Sequence, residues 1–234
     1  VSTVTVDADI AVGGITFTNP ASFILADAGK TMTWDLKGSG AAIAVNSGTS
    51  NAIATAVSLN DRTTVNVAVG AALAISGPIS GTSGANTLTK SGNGTLILSA
   101  ANTYGPAAGS IGTILSGGTL ELTNSQALAL GDLTNAANAT LLVDKSMTVS
   151  NKIRINSTST LTVNDGGNTV LLSGGFTAAG SLAKNGSGSV LFTNIGTSTI
   201  GGFGVDNGVL EIGAGMTLNG TANAIDTRRV LVNG

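Results

Sequence analysis

Leu88 to Gly105 reads LTKSGNGTLILSAANTYG, and Gly117 to Leu122, a little further on, reads GGTLEL. Leu96 and Leu98, then Leu120 and Leu122, recur at a spacing of two, which puts each pair on one face of a short strand. The same design returns later. Leu182 to Asn194 reads LAKNGSGSVLFTN, and Asn207 to Ile212 reads NGVLEI. Lys90, Gly92, Gly94, Leu96 and Leu98 correspond to Lys184, Gly186, Gly188, Val190 and Phe192. Leu88 aligns with Leu182 at an offset of 94 and Leu120 with Leu210 at 90, so the second copy has a loop shorter by four. An internal repeat of this length spans several turns of a repetitive fold.

Working outward, short alternating runs closed by Gly, Asn, Ser or Asp cover the whole chain. They include Val4-Thr5-Val6, Val65 to Val69, Leu73-Ala74-Ile75, Leu141-Leu142-Val143, Leu161-Thr162-Val163 and Val230-Leu231-Val232. Only the stretch Gln126 to Leu130 suggests a helical turn. Runs this short, without matched hairpin turns, do not suit a sandwich or a barrel. They suit the coils of a solenoid with parallel sheets. At about 20–29 residues per coil the chain makes roughly eight to eleven coils, and at about 4.8 Å per coil the rod is roughly 40–55 Å long. The expectation is one all-β domain over residues 1–234, with aliphatic side chains stacked inside, Thr, Ser and Asn outside, and Gly at the corners. Trp34 is expected in or next to the core and Tyr104 against a corner.

The 88–122 copy resembles the passenger-associated transport repeat of autotransporter β-helices. That pattern reads approximately L-x-K-x-G-x-G-x-L-x-L, then N-T-Y, a glycine-rich loop and G-T-L, and Asn102-Thr103-Tyr104 and Gly118-Thr119-Leu120 supply its later parts. The 182–212 copy keeps the Lys-Gly-Gly centre but has Ile195-Gly196-Thr197 where Asn-Thr-Tyr is wanted. The opening VGGITFTNPASFILADAGKTMTWDL is similar to the first coils of such passengers. The resemblance implies a right-handed parallel β-helix secreted across a Gram-negative-type outer membrane. The translocator barrel of the family, with its aromatic girdle and amphipathic strands, is absent from this sequence.

Composition narrows the chemistry. The chain has 9% charged residues, few for a soluble domain, and a net charge of −2 without runs of either sign. A nucleic-acid groove needs a basic stripe, and only Arg228-Arg229 are adjacent cations, read as a solvated terminus. There is no Cys and no His, which removes disulfides, thiolates and the commonest general base and metal ligand. No apolar stretch reaches the length of a membrane span. The start, VSTVTVDADI, lacks the parts of a signal peptide, so a mature form or excised fragment is expected.

Catalytic β-helices gather carboxylates on one sheet, whereas the twelve acidic residues here are dispersed. Asp7 and Asp9 are expected to share a strand face at an exposed terminus. Asp61-Arg62 and Asp144-Lys145 read as solvated corners. Lys90 with Glu121, and Lys184 with Glu211, recur at matching places and suggest structural cross-coil ion pairs, each worth at most about 1 kcal/mol if exposed. Gly201-Gly202-Phe203-Gly204-Val205-Asp206 matches one calcium nonapeptide, but without the tandem copies such sites need. Asn164-Asp165-Gly166-Gly167-Asn168 reads as a turn. Sequons at Asn93, Asn138, Asn156, Asn185 and Asn219 carry little weight in so Asn-rich a chain. No catalytic, cofactor-binding or metal-binding residue is assigned, and no cofactor is expected.

The function these features favour is a non-enzymatic extracellular structural protein: an adhesin stalk, or a surface filament subunit. The alternatives are a polysaccharide-active enzyme on the same scaffold and a fragment of a larger virulence passenger. Strand-like runs at both ends, at Val1 and at Arg229 to Val232, suggest open terminal coils with unpaired backbone groups, and hence head-to-tail self-association. A cell-surface or glycan ligand is the other expected partner.

Overall fold

In a computed structural model, the described residues are 1–81, 86–105, 107–193, 198–199, 201–213, 218–219 and 230–232. Asn219 lacks a described side chain, and Arg228, Arg229 and Ile195-Gly196-Thr197 lie outside the described residues altogether.

Alternating apolar residues in runs of two to five cannot bury themselves alone, so each run is paired with the run one coil before and one coil after. Every strand pair among the described residues is parallel, in agreement with the solenoid expected from the sequence. Partners define the coil length: Ser2 pairs with Phe23 and Leu182 with Phe203, 21 residues on, while Ile24 pairs with Ala52, 28 residues on. The long coil contains the turn between the strands Thr31–Trp34 and Ala41–Val45.

Three strands make a coil, and three faces result. The first face is one continuous ten-stranded sheet, from Ser2–Val6 to Gly202–Val205. The third is an eight-stranded sheet from Gly14–Phe17 to Phe176–Ala178. The second face is broken. A four-stranded sheet ends at Ile79–Gly81, and a five-stranded sheet takes the same slot in each coil from Met147–Val149 onward. Two coils between them fill that slot without a strand, using the Asn102-Thr103-Tyr104 segment and the turn around Gln126 to Ala129.

Side-chain amides carry the ladder across this break. The backbone of Ile79 donates to Asn102 Oδ1 at 2.8 Å, and Asn102 Nδ2 donates to the Ala127 carbonyl at 2.7 Å. Asn151 Nδ2 then donates to the carbonyls of Ala129 and Gly131 at 3.1 and 2.8 Å. Buried backbone groups must be paired, and here an amide side chain does what a strand does elsewhere.

Inward residues stack in register. On the first face Leu73, Leu96, Leu120, Leu141 and Val163 succeed one another, and Leu96, Leu120 and Leu210 are all buried. Trp34 is fully buried in this core. Tyr104 is also fully buried, its hydroxyl 2.8 Å from Thr113 Oγ1. Phe176 and Phe192 meet edge-on at 4.7 Å between centroids, and Phe203 lies 6.1 Å from Phe192. Among the described residues no helix is long and apolar enough to cross a membrane.

Candidate functional site: the lysine-closed corners of the two repeats

Leu88 and Lys90 share parity on the strand Leu88–Ser91, and Leu182 and Lys184 share it on Ser181–Asn185. If the leucines point inward, so do the lysines. Both lysines are fully buried. Lys90 sits between Val65 and Leu115 in register, and Lys184 between Val163 and Val205. Each ammonium has entered a column of aliphatic side chains.

What receives it is the corner. Lys90 Nζ donates to the carbonyls of Ser91, Gly92 and Gly117 at 2.8, 2.8 and 3.1 Å. Lys184 Nζ donates to Asn185, Gly186 and Asn207 at 3.2, 2.6 and 3.0 Å. In the repeat alignment these are the same three positions. Two carbonyls belong to the lysine's own corner and one to the next coil, so each ammonium uses its three donors to tie successive coils together.

The conserved spacing of glycines within the two copies has a steric cause. Gly92 and Gly186 adopt φ of +72° and +90°, and Gly118 and Gly208 adopt +65° and +75°, a region that favours glycine. A Cβ on Gly118 would stand 2.5 Å from the carbonyl oxygens of both Gly92 and Gly94. One on Gly208 would collide with the Lys184 ammonium itself. The glycines turn carbonyls toward the axis and leave room for the lysine beneath them.

The two corners differ in one group. Lys184 forms an ion pair with Asp165, and both side chains are fully buried. Asp165 Oδ1 accepts from the backbone amides of Gly167 and Gly188 at 2.8 and 2.9 Å. At the first corner the matching residue is Val67: Lys90 pairs with Val65 and Lys184 with Val163, two residues earlier in each case. Burial without a carboxylate pulls the Lys90 pKa down to about 8. Desolvation disfavours the charged form, and nothing of opposite sign offsets it.

The expected Lys–Glu pairs do not form. Glu121 lies between the inward Leu120 and Leu122, so it points outward, in register with Ile97 and Leu142. Partial burial raises its pKa first, and the nearby Asp144 adds to the rise. Glu211 likewise lies between the buried Leu210 and Ile212. Strand parity alone excludes both pairs, and it is the signal that would have placed the lysines inside.

Other sequence-marked residues fall out as follows. Asp7 and Asp9 do not share a strand; they occupy the exposed corner between Ser2–Val6 and Ile10–Val12, where Asp9 Oδ1 accepts from the Thr31 amide at 2.8 Å. Asp61 is buried instead of solvated. Its carboxylate accepts from the amides of Leu36 at 2.6 Å and Gly38 at 3.0 Å, holding the turn where Lys37 takes a φ of +52°. Arg62, Asp144 and Lys145 are exposed. Asn164 to Asn168 is a turn, as read, with Gly166 donating to Asn164 Oδ1 at 3.0 Å. Gly202–Val205 is a rung of the first face, paired with Ser181 to Lys184. Asn93, Asn138, Asn156 and Asn185 are exposed.

A second ion pair went unforeseen. Arg154 donates through Nε and Nη2 to Asp132 Oδ2 at 2.8 and 2.6 Å, and Nη2 also reaches the Gly109 carbonyl at 3.0 Å. Asp132 Oδ1 accepts from the Gly109 amide at 3.0 Å. The pair fastens the glycine-rich loop of the first repeat to the third face.

Comparison with known proteins agrees with the motif. Residues 88–122 match the family model of the passenger-associated-transport-repeat. No curated protein and no solved structure matches the chain.

Proposed function

We propose that this chain, which carries a passenger-associated transport repeat on a β-solenoid, is a rod-like segment of an autotransporter passenger. It is displayed outside the cell as a non-enzymatic stalk that holds an adhesive part away from the surface. One observation carries the reading. All the buried lysines and aspartates among the described residues, and the amide of Asn102, are engaged with the coil's own backbone: Lys90, Lys184, Asp165, Asp132, Asp61 and Asn102 each bond carbonyls or amides of neighbouring coils, whereas the Asn135 amide is buried without a hydrogen-bond partner. Polar groups used in this way stiffen a ladder. Ten rungs on the first face at about 4.8 Å correspond to a rod of about 45 Å.

The test is display and shape together. An epitope inserted at the exposed Lys145 corner of the full-length precursor is expected to be labelled by antibody on intact cells, and the purified chain to image as short rods. Labelling only after permeabilisation would overturn the export reading. Turnover of pectin-like glycans that is lost on carboxylate substitution would overturn the non-enzymatic one. Filaments in place of separate rods would move the role from stalk to subunit.

A further inference from the structure

Three Asn-Gly steps lie among the described residues, Asn93-Gly94, Asn185-Gly186 and Asn207-Gly208, and all three asparagines are exposed. Their peptide nitrogens differ. Gly186 N–H donates to Oδ1 of Asn185, the residue immediately before it, at 2.7 Å, and Gly208 N–H donates to Oδ1 of Asn207 at 2.8 Å. A bond of that kind folds the side chain back over its own following peptide, which brings Cγ over the nitrogen. Both glycines have φ near +80° (+90° and +75°), and neither carries a side chain that would obstruct ring closure. At the first repeat Gly94 N–H donates instead to the Val67 carbonyl of the preceding coil at 2.8 Å. The ladder holds that nitrogen away from the Asn93 side chain.

We propose that Asn185 and Asn207 are sites of spontaneous deamidation in the folded chain, and that Asn93 is protected. Solvent base removes the glycine N–H proton, and the nitrogen attacks Asn Cγ to form the new N–Cγ bond. The Cγ–Nδ2 bond breaks, and the amide nitrogen takes up a proton and leaves as ammonia. Water then opens the succinimide at either carbonyl, giving aspartate or isoaspartate. No oxidant or cofactor enters. Pre-oriented reacting atoms are the source of the rate difference.

The consequence falls on the second lysine corner. The main-chain carbonyls of Asn185 and Asn207 are two of the three that hold Lys184 Nζ. Isoaspartate reroutes the chain through Cγ and turns that carbonyl into a free carboxylate. The second corner therefore changes its chemistry with age, and the corner at Lys90 does not.

The experiment incubates the folded, full-length chain at mildly alkaline pH and maps peptides by mass spectrometry that separates aspartate from isoaspartate. A parallel sample is held in denaturant. In the folded chain Asn185 and Asn207 are expected to convert at least about tenfold faster than Asn93, well within the roughly 100-fold that a misplacement of about 1 Å can cost. In denaturant the three steps, all followed by glycine, are expected to converge. Comparable rates for the three in the folded chain, or faster conversion of Asn93, would overturn the proposal.

Discussion

The corner at Lys90 and the corner at Lys184 are built from the same sequence pattern, yet they solve the burial of an ammonium differently. Both offer three carbonyls at matching positions. Only the second adds a buried carboxylate, from Asp165 in the preceding coil, where the first has Val67. The corners also stand at different edges of the rod. The first joins the third face to the first face, through Leu88–Ser91 and Thr95–Leu98. The second joins the first face to the second, through Ser181–Asn185 and Ser189–Phe192. The repeat therefore encodes a corner and not a face. Three carbonyls turned inward by glycine suffice to hold a lysine, and the carboxylate is an addition whose effect can be measured.

The largest effect is expected from removing the charge at the second corner. Lys184→Met leaves Asp165 buried and unpaired and is expected to cost about 3–5 kcal/mol. Lys90→Met strands carbonyls but no ion, and its cost is about 1–3 kcal/mol. Urea midpoints of the two variants measure the gap. Equal losses would mean that Asp165 contributes nothing specific.

Next come the glycines that the two corners share. Gly118→Ala and Gly208→Ala each force a side chain into a positive φ and against carbonyl oxygens, at about 2–3 kcal/mol apiece. Similar thermal shifts in the two variants would mark a common architecture. A tolerated Gly118→Ala would break it.

Moving the carboxylate sharpens the comparison. Lys90 has a folded pKa of about 8, against about 10.4 for a lysine in an unfolded chain. Between those values the unfolded state binds more protons, so this group makes stability rise as pH increases. Val67→Asp gives Lys90 the partner that Lys184 has and is expected to remove that rise. The difference in unfolding free energy between variant and parent, followed from neutral to mildly alkaline pH, reads it directly. A parallel slope in both proteins would sink the assignment.

The smallest effect is expected at Glu121. Its pKa is raised by partial burial and by Asp144, so Glu121→Gln relieves a disfavoured charge. Stability at neutral pH should be unchanged or slightly higher, within about 0.5 kcal/mol. A loss near 1 kcal/mol would instead suit a cross-coil pair with Lys90.

Much of this was legible because a solenoid is written locally. Period-two runs such as Leu96–Leu98 and Leu120–Leu122 placed strands and core, and the crowding of the runs pointed to the coils of a solenoid. Trp34 lies in the core, as expected, whereas Tyr104, expected at a corner, fills the strandless slot of the second face and is fully buried. The lysines were legible too, but parity with Leu88 and Leu182 had to outweigh the habit of leaving charge in solvent. Asp165 was beyond local reading. It reaches Lys184 only because one coil separates them, and coil register is not marked in the residues between. The break in the second face was equally hidden, since Asn102 and Asn151 look like any other turn asparagines until the missing strand hydrogen bonds are counted against them.

Native-state labelling of lysines tests the central claim most directly. With a small amine-reactive reagent, brief exposure of the folded chain, then unfolding and peptide mapping, Lys37 and Lys145, both exposed, should react while Lys90 and Lys184 stay unmodified. Labelling of Lys90 or Lys184 at the rate of Lys37 in the folded chain would place these ammonium groups in water and contradict the lysine-closed corner.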